Sequence, residues 1–291
     1  MASEKLRTIV ITGGTQGIGF HSALGLATLG ARILITGRNT ERGLTAAMKI
    51  RALTNNPHIT FVDGDLSSIG GVDKLAANIF RETRSIDVLV NNAGVFGSEL
   101  VKSSDGLEMH FAVNVLAPWR LTKALLPRLR EGDKPRVVNV TGGDKPACID
   151  PDNLQAEKGF KGLMTYTHSK SVLEAMSIML SEELKPMGVT VNIVFPGRAS
   201  TAMTQSLSMK SLPGPMKIMF PFFRLFFRDD GGKSAAAAAR STIWAATNLE
   251  IDEVTGSYFD TNCKERRLHP SAYDSQVHAR IREVIRSVDG S

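Results

Sequence analysis

With 291 residues, 42% of them hydrophobic and 22% charged, the chain has ample apolar mass to bury a large core, which excludes a disordered polypeptide. Its net charge of +6 is spread as single Lys and Arg residues, with no basic run of the kind that marks a nucleic-acid partner. Two cysteines, Cys148 and Cys263, and six scattered histidines exclude a disulfide framework and a metal site, and no segment is a leader or a membrane span, so a cytoplasmic protein without integral membrane attachment is expected.

The first predicted strand, "TIVIT", runs into "ITGGTQGIGF". Here Gly13, Gly17 and Gly19, with Thr15, Gln16 and Ile18 between them, form a G-x-x-x-G-x-G turn at the start of a helix. Glycines let the chain approach a pyrophosphate while the helix aims its free N–H groups at that anion. The second strand, "ARILITG", ends at Arg38, where an acidic side chain would accept from a ribose hydroxyl. A guanidinium there suits a ribose phosphate instead, so NADP(H) is favoured over NAD, and Arg42 is placed to share the role.

After the third strand, "ITFVDGDL", Asp65 and Leu66 stand where an adenine would lie. The fourth, "IDVLVNNAG", finishes in Asn92, Ala93 and Gly94, small enough for a cofactor to cross the sheet. In the helical stretch "EMHFAVNVLAPWRL", Pro118 has no N–H to give the carbonyl of Asn114, which leaves that carbonyl for a water. The fifth strand, "RVVNVTGG", leads through Thr141 and Gly142; then come "YTHSK", a long helix, the sixth strand "VTVNIVFPG" and a seventh, "GSYFDTN". Strand and helix alternate with no linker or repeat. The fold class is therefore α/β: one Rossmann-type domain over residues 1–291, a doubly wound parallel sheet of about seven strands with helices on both faces.

One stretch breaks the rhythm. Residues 200–240 are rich in Met and Phe (Met203, Met209, Met216, Met219 and Phe220 to Phe227) and follow the sixth strand on the side where such sheets open. They read as a lid over a lipophilic substrate; a subunit contact, or a membrane-surface contact aided by Arg224 and Arg228, stays open.

With "TGGTQGIG", "NNAG" and "YTHSK" in this order, the chain resembles the short-chain dehydrogenase/reductase family over nearly its whole length. The stretches "IDPDNLQAEKGF" and "SYFDTNCKERRLHPSAYD" are similar to its retinol dehydrogenase and WW-domain oxidoreductase branch, though no WW domain is present. The resemblance implies hydride transfer between NADP(H) and a lipophilic carbonyl or alcohol. Tyr166 is then the general acid or base, and Lys170 its pKa modifier and the holder of the nicotinamide ribose. Asn114 anchors a proton-relay water, and Pro196, Gly197 and Thr201 meet the carboxamide. Tyr166 and Lys170, four residues apart, share a helix face, so the ammonium is expected to lower the phenol. A homodimer or homotetramer is the family's usual assembly.

Aligned through "VVNV", the family's two serines fall on Thr141 and Gly142, so the serine that donates to the substrate oxygen is replaced by glycine. Such a donor is typically worth on the order of 10²-fold in rate. Four readings follow: Thr141 turns inward as the donor; the substrate supplies its own donor; the reaction is reduction of an imine or activated C=C bond; or the chain is a non-catalytic NADP-binding regulatory protein.

Overall fold

The computed structural model describes residues 6–142, 147–197, 199 and 230–289. Its strands are β1 (Thr8–Ile11), β2 (Arg32–Gly37), β3 (Ile59–Asp63), β4 (Val88–Asn91), β5 (Arg136–Val140), β6 (Thr190–Val194), β7 (Tyr258–Phe259) and β8 (Glu265–Arg266). They form one sheet in the order β3-β2-β1-β4-β5-β6-β7-β8. All neighbours run parallel except β7 and β8, which are antiparallel. The seven expected strands are all present. The eighth is a two-residue edge strand with both side chains exposed, so it has no hydrophobic pattern to reveal it.

Side chains alternate along each strand, and the alternation builds two cores. Val10, Leu34, Leu89 and Val137 face α3 (Ile69–Glu82), α5 (Ala117–Leu129), α6 (Gly162–Leu184) and α8 (Ser275–Asp289). Ile9, Ile33, Val88 and Val138 face α1 (Gly17–Thr28), α2 (Thr40–Thr54) and α7 (Lys233–Thr247). The order reverses between β1 and β4, and a crevice outside the carboxyl ends of strands at such a switch point is where ligands bind in open α/β sheets.

Residues 200–229 of the expected lid, with its Met and Phe residues, lie outside the described residues. Its last part differs from expectation: Lys233 onward is the framework helix α7, capped by Asp230, whose carboxylate accepts from the N–H of Gly232 and Ser234 (3.0 and 2.8 Å). Ala235, Ala238 and Ala239 are buried, so the alanine run is a close-packing surface rather than part of an insertion.

The stretch around Asn114 is helical with a defect. A short helix α4 (Met109–Phe111), its start capped by Glu108, passes through a π turn (Ala112–Leu116) into α5. In that turn Ala117 donates to Ala112, one residue further back than in an α-helix. Pro118 lies just beyond, where the ordinary ladder would lack a donor in any case.

A polar seam crosses the core below the site. Thr122 on α5 accepts from Asn91 Nδ2 (3.2 Å); the same amide donates to Asn139 Oδ1 (2.8 Å), and Asn139 donates to Ser177 Oγ on α6 (2.8 Å). At the far end of β5, buried Arg136 donates to the carbonyls of Ala245 and Asn248 and pairs with Asp252.

Candidate active site

The glycine turn between β1 and α1 is held from inside. Thr12 Oγ1 accepts from the N–H of Asn92 and Ala93 (3.1 and 3.0 Å), and Asn92 Nδ2 donates to the carbonyls of Thr12 and Gly13 (2.9 and 3.3 Å). Asn92, read from sequence as a cofactor contact, thus uses its amide to fix the turn. Gly13 and Gly17 have φ of +66° and +56°, a region that L side chains avoid. A Cβ at Gly19 would come within 2.4 Å of both Asn92 Nδ2 and the Gly13 carbonyl.

Helix α1 opens at Gln16 with no side-chain cap and no acidic residue in its first turn, so its leading N–H groups face outward for an anion. Thr15 packs under Gly37, and Ile18 packs toward Ala235 and Ala238. Arg38 is exposed at the tip of β2, and Arg42 Nη1 donates to Gln16 Oε1 (3.1 Å), which brings a second guanidinium to the glycine turn. Asp65 is exposed and accepts from the Ser67 N–H (3.0 Å); Leu66 beside it is half-buried. These groups fit a phosphorylated dinucleotide.

At the carboxyl ends of β4 and β5, Gly94, Asn114, Lys170 and Tyr166 converge. A Cβ at Gly94 would lie 3.3 Å from both Asn114 Oδ1 and Lys170 Nζ. Asn114 Oδ1 accepts from the Val95 N–H (2.9 Å), and its Nδ2 donates to the Val95 carbonyl (3.2 Å) and to Ser169 Oγ (3.0 Å). Ser169 donates in turn to the Tyr166 carbonyl (2.7 Å), so the π turn is tied directly to the tyrosine's helix. Lys170 Nζ donates to the Val140 carbonyl (3.2 Å), and burial pushes its pKa down to about 8.

Burial pushes Tyr166 up to about 12. The expectation that Lys170 lowers the phenol is not met by the chain's own groups: desolvation of the phenolate wins. Around the ring, Phe96 and His110 meet it edge-on, with centroids 5.7 and 6.0 Å away, and His110 stacks on Phe160. His110 Nε2 accepts from the Gly97 N–H (2.9 Å), and Nδ1 lies 2.9 Å from Glu108 Oε1.

Gly142 faces this tyrosine. A Cβ there would stand 2.7 Å from Tyr166 Oη and 3.7 Å from Lys170 Cγ. Thr141 points elsewhere: it is buried, and its hydroxyl donates to Glu174 Oε1 (2.7 Å), which answers the idea that it turns inward as the donor. Gly197 follows β6 with φ +84°, next to half-exposed-loop Thr261 and after buried Pro196, while Thr201 lies outside the described residues.

Sequence reasoning missed Glu174, Ser169, Thr12 and the Glu108–His110 pair. Only Glu174 left a signal, its four-residue spacing from Lys170, and that spacing reads equally well as an exposed ion pair. Among the described residues no group of His, Cys, Asp and Glu could hold a metal ion, and no helix is long and apolar enough to cross a membrane.

Residues 7–211 match the short chain dehydrogenase family. Retinol dehydrogenase 13 of Mus musculus is 32% identical over 277 residues, covering 94% of this chain and 81% of that protein. Retinol dehydrogenase 14 of Homo sapiens is 30% identical over 294 residues, covering 96% and 84%. The fold is similar to that of a Pseudomonas aeruginosa RhlG/NADP active-site complex, with a TM-score of 0.65 and 27% identity over 89% of this chain and 95% of that one.

Proposed function

Because the chain belongs to the short-chain dehydrogenase family of oxidoreductases, we propose that it reduces a lipophilic carbonyl with NADPH, or oxidises the corresponding alcohol, through Tyr166. The observation behind this is the convergence of Asn114 and Lys170 on Gly94, where a Cβ would lie 3.3 Å from Asn114 Oδ1 and from Lys170 Nζ, together with the Tyr166 hydroxyl that faces Gly142. The α1 N-terminus would receive the pyrophosphate, with Arg38 and Arg42 at the ribose phosphate, and the RhlG/NADP complex supports that choice. When bound, the nicotinamide supplies or accepts the hydride.

Every other step belongs to the chain. Tyr166 keeps its proton at neutral pH, so it can give that proton to a carbonyl oxygen as hydride arrives. Lys170, largely an ammonium below about 8, offers positive charge as the phenol gives up its proton. Asn114 fixes the Gly94–Val95 segment against the tyrosine's helix, and its carbonyl, lacking a partner in Pro118, anchors a relay water. Phe96 and His110 meet the half-buried Tyr166 ring edge-on and Phe160 stacks on His110, an aromatic wall that suits a lipophilic substrate.

Gly142 occupies the family's serine position in this reading and itself brings no side-chain donor to face the phenol. That favours, as a second reading, an imine or activated alkene, whose reduction needs less oxyanion support. The test is NADPH consumption with lipophilic ketones, hydroxy-ketones, quinones, imines and enones, beside Tyr166→Phe. Turnover by the natural chain, cut about 10²-fold or more in the variant with NADPH binding retained, is the expected result. Equal turnover in the variant, or tight NADPH binding without consumption of any class, would overturn it.

A further inference from the structure

One charged group in the active-site wall has no part in the mechanism above. Glu174 lies one turn beyond Lys170 on α6, only 6% exposed, and accepts from the Thr141 hydroxyl at 2.7 Å. Thr141 immediately precedes Gly142, so the carboxylate is tied to the backbone that faces Tyr166. Lys170 is 4% exposed, and its only described hydrogen-bond acceptor is the neutral Val140 carbonyl. A buried ammonium with a neutral acceptor and no opposite charge tends to shed its proton.

Resting on the reading of Lys170 as the partner of Tyr166, we propose that Glu174 is a positioning residue. Fixed by Thr141, it places a buried counter-charge behind Lys170 and keeps the lysine in its ammonium form at the tips of β4 and β5.

The electrostatics agree in direction. Burial pushes Lys170 down and Glu174's charge opposes that; burial pushes Glu174 up to about 7, while Thr141 and Lys170 pull it back. The surroundings offer little competition. From β7, Tyr258 is a neutral phenol held well above its ordinary range by burial and by Glu174 and Asp260. Tyr166, on α6 itself, is neutral too, β5 offers the Thr141 hydroxyl and the Val140 carbonyl, and the π turn offers the Asn114 amide. Among the described residues no third charge acts on either member, neither from α8 nor from the strands.

Glu174→Gln isolates the charge, since the amide keeps the volume and still accepts from Thr141. The full chain, labelled with 15N-lysine and titrated by NMR without cofactor, gives the Lys170 midpoint, its signal assigned by loss in Lys170→Met. Expected is a fall of about one pH unit or more in Glu174→Gln, with Glu174→Asp recovering most of it. Reciprocally, the 13C-carboxyl midpoint of Glu174 rises in Lys170→Met, a measurement that stands even if Glu174→Gln does not fold. An unmoved Lys170 midpoint in Glu174→Gln, or a Glu174 midpoint indifferent to Lys170→Met, overturns the proposal. The alkaline limb of kcat/KM for NADPH-dependent reduction is expected to move down with the midpoint. A shifted midpoint in a chain that consumes no NADPH overturns the reductase reading and leaves the pair standing; turnover with an unmoved midpoint does the reverse.

Discussion

Gly142→Ala and Gly142→Ser, compared with each other as well as with the natural chain, separate the two things a side chain would do at that position. The glycine's φ is not positive, so neither substitution strains the backbone. Both bring a Cβ to 2.7 Å from Tyr166 Oη, about 0.7 Å inside ordinary van der Waals contact. The phenol has little room to swing, because Phe96 and His110 press its ring edge-on from 5.7 and 6.0 Å. A displacement approaching 1 Å of an acid from its target can cost about 10²-fold in rate, so alanine is expected to lower kcat by roughly 10- to 100-fold. Serine imposes the same displacement but adds a donor, worth about 10²- to 10³-fold where it reaches a developing oxyanion. Serine should therefore exceed alanine by about 10²-fold with a simple ketone, and resemble the natural chain far more closely than alanine does. The assay is the initial rate of NADPH oxidation at saturating cofactor. Alanine as active as glycine would refute the steric reasoning, and serine no better than alanine would refute the assignment of Gly142 to the donor position.

Three further outcomes follow from the same geometry. Arg38→Asp is expected to weaken NADPH binding by about 10- to 100-fold and to narrow the preference over NADH, read by fluorescence titration of both cofactors; an unchanged ratio would move the role to Arg42. Folded Glu174 keeps its proton up to about 7 against an ordinary 4.5, so between those values the folded chain holds a proton that the unfolded chain has released. Stability is then lost as pH rises through that window, by on the order of 3 kcal/mol, and urea unfolding at about pH 5 and about pH 7 should show the loss reduced in Glu174→Gln. Arg136→Met leaves Asp252, among the described residues, with exposed Lys134 as its one remaining ion-pair partner, which should cost about 3 kcal/mol or more in unfolding free energy. NADPH affinity should not change, because Arg136 opens β5 at the end away from Gly142.

Much of this was legible from local pattern. β-branched runs fixed seven strands, because a strand buried on both faces has to be apolar throughout, and the glycine turn declared itself because positive φ at Gly13 and Gly17 admits little else. What escaped depends on partners distant in sequence. "SKSVLEAM" reads as a helix with an i, i+4 Lys/Glu pair, ordinarily a solvated surface feature; only the packing of every residue from Ser169 to Ser181 reveals that Lys170 and Glu174 are inside. The second task of Asn92 was hidden too, because nothing in "NNAG" shows that Thr12 and Gly13 lie against its amide. The alanine run at 235–239 looked like a continuation of the Met- and Phe-rich stretch, since small side chains show their use only against the surface they press on. Tyr166 and Lys170 were placed correctly on one helix, yet the sign of the tyrosine's pKa was misjudged, because spacing conveys proximity and not the extent of desolvation.

The seam of Thr122, Asn91, Asn139 and Ser177 has a dynamic consequence. These side chains join α5, β4, β5 and α6 in series without solvent, so none of the four elements can slide or peel away without stranding a buried amide or hydroxyl. Breathing motions that free one element at a time are thereby suppressed. The backbone amides of β4 and β5 should be the last in the chain to exchange with deuterium, leaving only through global unfolding. The tips of those two strands bear Gly94 and Gly142, so the floor of the reaction site is expected to keep its shape for as long as the molecule stays folded.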